Sequence, residues 1–284
     1  MSTKKIGWIG LGNMGIPISQ QLIKAGYPVT VYNRSKEKEA SLKATGAGIA
    51  ASPKELIQQT DVVFIMVSND EAISEIFNGD AGLLSAKTTG KTIINMSTVS
   101  PGISKEMAAL CKEQGNHYLD APVSGSVKQA EEGQLVIMVG GEENIFEQAK
   151  PVLEKLGKLA LLVGGNGAGN TAKLAINTLL GFHAQGLAEA IVFAQQHHIK
   201  TEDMLNIINN SALGNVFAKI KGDAIIKDNY QAAFALKHIA KDLRLAKTEG
   251  LNSPLAKVAY QTFQEAEAEY GNEDIIAIIK QISK

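Results

Sequence analysis

Two side chains that could act on a polar substrate stand four residues apart in the stretch Gly169–Asn177. On a helix, Lys173 and Asn177 would point the same way, because positions i and i+4 share one face. This polar pair opens an apolar segment at the junction of two predicted domains, where we expect a substrate cleft. The alternative is a surface lysine whose aliphatic stem covers apolar neighbours. The spacing alone leaves both interpretations open.

Three further polar clusters stand near the ends of predicted elements. In Asp120–Ser126, small hydroxyl residues and backbone N–H groups after a proline could bind an anion, although an ordinary turn is the alternative. Met96–Pro101 follows a predicted strand, at the end where open α/β sheets bind ligands. The stretch Phe234–Ala246 carries a basic stripe at helical spacing, which is typical of a solvated face: Lys237, Lys241 and Arg244.

A glycine-rich turn, Gly10-Leu11-Gly12-Asn13-Met14-Gly15, directly follows the first strand-like run and opens a helix. The first glycine permits a tight turn and the second lets backbone N–H groups approach phosphate oxygens. The third lets the helix pack on the strand, and the helix N-terminus adds partial positive charge. In this strand–turn–helix context the turn predicts binding of a dinucleotide pyrophosphate rather than a purely structural turn.

The end of the second predicted strand indicates which dinucleotide is bound. An NAD site would place an acidic residue there, on the ribose hydroxyls. Here Asn33-Arg34-Ser35 offers an amide, a guanidinium and a hydroxyl, which suit a 2′-phosphate. We therefore predict NADPH/NADP as the cofactor; the alternative is that Arg34 is a solvated loop residue.

The composition excludes several other kinds of chemistry. The 284 residues are 45% hydrophobic and 20% charged, which is enough apolar material for a buried core. A formal net charge of −1 gives no general attraction to nucleic acid or to an anionic membrane. The single Cys111 excludes an intramolecular disulfide, and the five histidines form no metal-binding pair. Without a signal peptide or an apolar run of spanning length, we expect a cytoplasmic protein with no metal, nucleic-acid or membrane partner.

The elements that would position these residues fall into two parts. Strand-like runs alternate with helical stretches up to about residue 163, which indicates βαβ units and a parallel sheet. After the glycine-rich segment Gly164–Gly169 the sequence predicts only helices, the first a long one over residues 170–196. We therefore expect an α/β protein, with an N-terminal Rossmann-type NADP-binding domain at residues 1–163. An all-α C-terminal domain for substrate binding and oligomerisation would follow at residues 164–284, joined by the long helix.

Taken together, four motifs resemble the β-hydroxyacid dehydrogenase family. Its marks are a GLGxMG start, a DAPVSG-type substrate loop, a GxGxxxKxxxN segment and a KDxxLA helix, and all four occur here in family order. Ser126 and the run Phe234–His238 look like the glyoxylate and succinic semialdehyde reductase branch rather than the 3-hydroxyisobutyrate dehydrogenases. Ala235 stands where plant members of that branch have proline.

The resemblance implies a role for each matched position. Lys173 would be the catalytic residue with Asn177 as its orienting partner, and Thr98 and Lys241 would line the nicotinamide end of the cofactor. Ser124 and Gly125 would hold the substrate carboxylate, and the substrate pocket would be shaped by Phe234 and Asp242. The other expected cofactor-binding residues are Gly10, Leu11, Gly12, Asn13, Met14, Gly15, Asn33, Arg34, Ser35, Val67 and Ser68.

This reasoning predicts NADPH-dependent reduction of a short aldehyde acid, either glyoxylate to glycolate or succinic semialdehyde to 4-hydroxybutyrate. Lys173 would be the general acid; a free lysine has a pKa of about 10.4, so the reverse oxidation should speed up towards alkaline pH. The alternatives are a 3-hydroxyisobutyrate-type dehydrogenase and, from another class, a non-catalytic nucleotide-binding scaffold. The resemblance also implies a homodimer or homotetramer.

Overall fold

The computed structural model describes residues 4–284, which form two compact units, the first ending at Lys173 and the second beginning at Leu174. The first unit holds one nine-stranded sheet. Its strands are β1 (Ile6–Ile9), β2 (Val29–Tyr32), β3 (Gly48–Ile49), β4 (Val62–Ile65), β5 (Thr92–Asn95), β6 (His117–Asp120), β7 (Val123–Ser124), β8 (Leu135–Gly140) and β9 (Gly157–Gly164).

Helices surround this sheet and make up the second unit. Those of the first unit are α1 (Gly15–Lys24), α2 (Glu39–Lys43), α3 (Pro53–Gln59), α4 (Asp70–Asn78), α5 (Pro101–Glu113), α6 (Val127–Glu131) and α7 (Glu143–Leu153). Helix α8 (Ala168–Gln196) begins in the first unit and continues into the second. The second unit also contains α9 (Thr201–Asn210), α10 (Val216–Ile226), α11 (Leu236–Thr248), α12 (Pro254–Tyr270) and α13 (Ile278–Ile282).

The sheet has the order β3-β2-β1-β4-β5-β6-β8-β7, with β9 paired to β8. The six strands from β3 to β6 are parallel and follow the order of a dinucleotide-binding Rossmann sheet. The expectation of a wholly parallel sheet is wrong at one place, since β8 runs antiparallel to β6 and β7. The chain returns to β8 through residues 125–134, which is too short a connection for the crossover that parallel strands require.

Apolar side chains alternate between the two faces of this sheet. Trp8 and Phe64 stack on one face with ring centroids 5.6 Å apart, whereas Ile9 and Ile65 belong to the core on the other face. Strands β1 and β4 are therefore buried on both sides, as parallel strands covered by helices are. Within residues 4–284, no helix has the length and apolar content needed to cross a membrane.

Candidate active site

The glycine turn between β1 and α1 is fixed by close packing at both of its ends. Gly10 has a φ of +99°, and a Cβ there would lie 2.1 Å from the carbonyl oxygen of Met66 at the end of β4. A Cβ on Gly15 would lie 2.0 Å from the oxygen of Gly10. At Gly12 a Cβ would meet no atom of residues 4–284 within 4 Å. The two ends of the turn are thus closely packed against other backbone atoms, whereas the backbone at Gly12 is open, as the approach of a pyrophosphate requires.

The start of α1 also fits an anionic group. Asn69 and Ser100 accept first-turn N–H groups at the starts of α4 and α5, but α1 has no side-chain cap among the described residues. Its first turn contains no acidic residue either. The Ile16 N–H donates to the Gly12 oxygen at 3.2 Å and Pro17 has no N–H, so what favours a phosphate here is the partial positive charge of the helix N-terminus beside the open backbone of Gly12. These residues therefore fit a dinucleotide cofactor.

Residues 33–35, which follow β2, differ in their contacts and exposure. The Asn33 Oδ1 accepts the Leu11 N–H at 2.8 Å and its Nδ2 donates to the Ser35 oxygen at 2.8 Å, so Asn33 ties this segment to the glycine turn. Arg34 is exposed and lies 3.9 Å from Glu75 in an ion pair that contributes little to stability. Its guanidinium can turn towards a bound phosphate. Ser35 is exposed as well.

The loops after β4 and β5 are joined by side-chain hydrogen bonds. The Val67 N–H donates to the Ser97 Oγ at 2.9 Å, and the Ser97 N–H donates to the Asn95 Oδ1 at 3.0 Å. Thr98 is half-buried directly after this junction, and Ser68 is exposed. The two predicted cofactor segments are therefore held side by side at the carboxyl edge of the sheet.

Helix α8 begins against the same edge of the sheet. The buried Asp120 accepts the Gly167 N–H at 2.7 Å and the Asn170 N–H at 2.9 Å. Burial raises the pKa of the Asp120 carboxyl, and these N–H groups act in the opposite direction. A Cβ on Gly169 would lie 2.5 Å from the Met138 oxygen, so this glycine lets the first turn of α8 approach the sheet. Lys173 follows on the next turn with only 8% of its surface exposed.

The predicted substrate loop turns sharply after β7. Ser124 is half-buried in that strand, where it pairs with Val136 of β8. Gly125 has a φ of +146°, and a Cβ there would lie 2.7 Å from the Leu135 side chain. Only glycine fits this position without strain. Ser126 then begins α6 in a reciprocal capping arrangement with Gln129.

In the second unit, the buried carboxylate of Asp242 contacts two other residues of the predicted site. Asp242 accepts a hydrogen bond from the Asn177 Nδ2 at 2.6 Å, and the Lys241 Nζ lies 3.0 Å from its other oxygen. Asp242 is 3% exposed. In the structure this carboxylate therefore orients Asn177 and Lys241.

The three cations of the basic stripe on α11 have partners in the structure, although Lys237 is exposed and Arg244 keeps 42% of its side chain in solvent. Lys237 donates to Asn272 at 2.8 Å, and Arg244 pairs with Glu267. Lys241 pairs with Asp242 as described above. Lys237 and Arg244 thus join α11 to other parts of the second unit, whereas Lys241 pairs with its neighbour on the same helix.

A buried ion pair that sequence reasoning missed supports the segment carrying Phe234. The Lys221 Nζ lies 2.7 and 2.9 Å from the two oxygens of Asp274, and both residues are under 10% exposed. One of these oxygens also accepts the N–H groups of Ala233 and Phe234, at 3.1 and 3.3 Å. The available signal was an aspartate directly before the apolar run Ile275–Ile279.

The chain matches two family models that together cover nearly all of it. Residues 5–165 match the NAD binding domain of 6-phosphogluconate dehydrogenase, and residues 167–282 match the NAD-binding region of NADP-dependent 3-hydroxyisobutyrate dehydrogenase. With the Rossmann sheet and the glycine turn, these matches define an oxidoreductase that uses a nicotinamide dinucleotide.

Individual relatives narrow this class to a family. The chain is 34% identical to glyoxylate/succinic semialdehyde reductase 2, chloroplastic, of Arabidopsis thaliana, over 99% of this chain and 80% of that protein. It is 37% identical to 2-(hydroxymethyl)glutarate dehydrogenase of Eubacterium barkeri, over 97% and 94%. A solved 3-hydroxyisobutyrate dehydrogenase of Mycobacterium tuberculosis with L-serine is 29% identical, with a TM-score of 0.90 over the whole of both chains. The chain belongs to the β-hydroxyacid dehydrogenase family, which confirms the resemblance and the fold class predicted from the sequence.

Proposed function

We propose that this enzyme uses NADPH to reduce a short aldehyde acid, either glyoxylate or succinic semialdehyde. The observation that carries the proposal is the burial of Lys173 on a turn of α8 that is seated at the carboxyl edge of the sheet. The glycine turn lies at this same edge, because parallel strands end together there. A buried ammonium near a cofactor site is suited to act on a carbonyl oxygen.

In the proposed reaction the cofactor supplies the hydride and the protein supplies the proton. When bound, NADPH supplies the hydride that reduces the carbonyl carbon. The Lys173 ammonium holds the carbonyl oxygen by a hydrogen bond, stabilises the negative charge that grows there, and donates the proton. Its low exposure keeps water from competing for that oxygen.

Other side chains orient the substrate in this proposal. Asn177 lies one helical turn after Lys173, and its amide is held by Asp242 at 2.6 Å. Ser124 and Gly125 bind the substrate carboxylate, and Phe234 borders the substrate. In this account residues 1–163 bind the cofactor and residues 164–284 complete substrate binding.

The NADPH preference rests on two observations. The Arg34 guanidinium is exposed at the end of β2, where a ribose 2′-phosphate would lie. The matching family model for residues 167–282 is described as NADP-dependent. The aldehyde-acid preference rests on Ser126, on the run Phe234–His238 and on the reductase among the relatives.

Subunit contacts belong to the proposal as well. Large apolar side chains stand exposed in the second unit, among them Phe193 of α8 at 64%, Leu213 of the turn between α9 and α10 at 74%, and Val216 of α10 at 75%. Exposed apolar groups of this size are typical of surfaces that bind a second protein chain. We therefore propose a homodimer or homotetramer.

A substrate panel tests the proposal. NADPH consumption at neutral pH is followed with glyoxylate and with succinic semialdehyde, and NADP reduction is followed with 3-hydroxyisobutyrate. Turnover of either aldehyde acid supports the proposal, and the ratio of kcat/KM values ranks the two. Inert aldehyde acids together with rapid oxidation of 3-hydroxyisobutyrate would replace it with the 3-hydroxyisobutyrate-type alternative.

A further inference from the structure

One buried amide side chain joins the start of α8 to the loop that carries Thr98. Asn170 has no exposed surface, and each polar atom of its side chain has a partner. Its Oδ1 accepts the Val99 N–H at 3.0 Å, and its Nδ2 donates to the Ser104 Oγ at 3.0 Å. Its backbone N–H donates to Asp120, as described above. Asn170 therefore touches the loop after β5, helix α5 and the end of β6.

The hydrogen bonds around Thr98 show what this amide fixes. Before Thr98, the Ser97 Oγ accepts the Val67 N–H at 2.9 Å. After it, the Val99 N–H is held by Asn170, and the Ser100 N–H donates to the Asp70 Oδ1 at 2.9 Å. The bonds of Ser97 and Ser100 anchor the loop to neighbouring strand ends and helices. The bond to Asn170 anchors it to the helix that carries Lys173, three residues further on.

We propose that Asn170 is a positioning residue that sets the distance between the Thr98 loop and Lys173. This inference rests on the proposed function, in which Lys173 donates the proton, and on the role that the family resemblance implies for Thr98, which is to line the nicotinamide end of the cofactor. An asparagine is suited to the task because it offers one acceptor and one donor in a rigid plane. An alanine would leave the buried Val99 N–H without its acceptor and would let the loop shift.

The reaction should be sensitive to such a shift. Hydride donor, carbonyl group and proton donor must be aligned together, and a displacement of about 1 Å can cost on the order of a hundredfold in rate. Cofactor affinity should change much less, because the pyrophosphate is held at the glycine turn, whose packing does not involve Asn170. A positioning role therefore predicts a loss in kcat without a matching loss in cofactor binding.

The test compares Asn170→Ala with Thr171→Ala, its neighbour on the same turn. Thr171 is exposed and its Oγ1 donates to the Gly167 oxygen at 2.9 Å, so its removal is a matched loss of a polar group. Assays use the aldehyde acid that the wild-type enzyme turns over, and the fluorescence of the single tryptophan, Trp8, reports NADPH binding. Trp8 donates to the Gly10 oxygen at 2.8 Å, so it senses the glycine turn directly.

We expect Asn170→Ala to lower kcat about 30- to 100-fold while the Kd of NADPH stays within about threefold. The primary isotope effect with deuterated NADPH should rise, because hydride transfer becomes slower than the other steps. Thr171→Ala should keep kcat within about twofold of wild type. Amide hydrogen exchange at Val99 should accelerate in Asn170→Ala alone.

Two results would overturn the inference. A folded Asn170→Ala with the kcat and isotope effect of Thr171→Ala excludes a positioning role. If Asn170→Ala does not fold, Ser104→Ala decides, since it removes the partner of the amide nitrogen. Because Ser104 also bonds the Tyr118 side chain, Tyr118→Phe is its control. A several-fold lower kcat in Ser104→Ala than in Tyr118→Phe, with normal NADPH binding, supports the inference, and equal kcat values overturn it. If the wild-type enzyme turns over neither aldehyde acid, the proposed function is wrong and this inference fails with it. If the wild-type enzyme is active and the variants keep a normal kcat, only this inference is wrong.

Discussion

Three polar residues of the candidate site, Asn33, Asp120 and Asp242, are each in contact with more than one partner. Asp120 accepts two backbone N–H groups at the start of α8, and Asp242 contacts both Asn177 and Lys241. Asn33 uses its oxygen and its nitrogen on different segments. A buried polar group that is held by more than one partner has one preferred orientation, which is what a site for hydride and proton transfer requires.

Arg34 provides the residue-scale test of cofactor choice. Arg34→Ala removes the one guanidinium at the end of β2, so the KM for NADPH should rise about ten- to hundredfold while that for NADH changes little. Steady-state kinetics with both cofactors measure this. Lys38→Ala, which removes an exposed charge from the same segment, is the matched control and should leave both constants unchanged. An equal effect of Arg34→Ala on NADPH and NADH would contradict the NADP assignment.

Cys111 predicts how stability depends on alkaline pH. The thiol is 1% exposed, and burial raises its pKa from 9.0 to about 12. Between these values the unfolded chain loses the thiol proton and the folded chain keeps it, so the free energy of unfolding falls as pH rises. From pH 9 to pH 11 this single group should account for a loss of about 2 kcal/mol.

Denaturant unfolding of the wild type and of Cys111→Ala at both pH values measures this contribution. The variant has no thiol to ionise, so its loss of stability between pH 9 and pH 11 should be smaller by that amount. Parallel pH dependence in the two proteins would show that the thiol does not contribute.

At the scale of elements, the local patterns were predictable and the long-range contacts were not. The turn Gly10–Gly15 is recognisable because its requirements lie within six residues between a strand and a helix. The partner of Asn33, by contrast, is Leu11, and the partner of Asp242 is Asn177, 65 residues away. Such pairs have no signature in local spacing, because only the folded chain brings them together.

Helix α8 shows the same contrast between a predictable local pattern and an unpredictable long-range contact. The apolar periodicity after the glycine-rich segment predicts a long helix over residues 170–196, and the structure has one at Ala168–Gln196. Which group would hold its first turn could not be read from the pattern. That group, Asp120, was recognised only as part of a motif; its role as an acceptor for Gly167 and Asn170 depends on the sheet around it.

The buried pair of Lys221 and Asp274 predicts a large effect on the stability of the second unit. Lys221→Met leaves the Asp274 carboxylate buried without its counter-ion, so the free energy of unfolding should fall by about 3–5 kcal/mol. Lys219→Met, two residues away on α10 at an exposed position, should change it by less than about 0.5 kcal/mol. Chemical denaturation of both variants measures the difference, and equal stabilities would show that the pair is not important for folding.

Each of the two units of the molecule contains residues of the candidate site. The first holds the glycine turn, the Thr98 loop and Lys173, and the second holds Asn177, Asp242 and the segment of Phe234. Helix α8 runs through both, so Lys173 and Asn177 stand one helical turn apart although they belong to different units. The spacing of these two residues on α8 alone places the proposed proton donor and its orienting amide on one helical face.

Single-turnover kinetics of Lys173→Met test whether Lys173 is the proton donor. Methionine keeps much of the aliphatic stem but offers no proton, so NADPH oxidation with the preferred aldehyde acid should slow by about 10²–10⁴-fold. NADPH binding, followed by Trp8 fluorescence, should remain within about twofold of wild type. Lys112→Met, an exposed lysine of α5, is the control and should keep the wild-type rate. A folded Lys173→Met enzyme that oxidises NADPH at a near-normal rate would contradict the account.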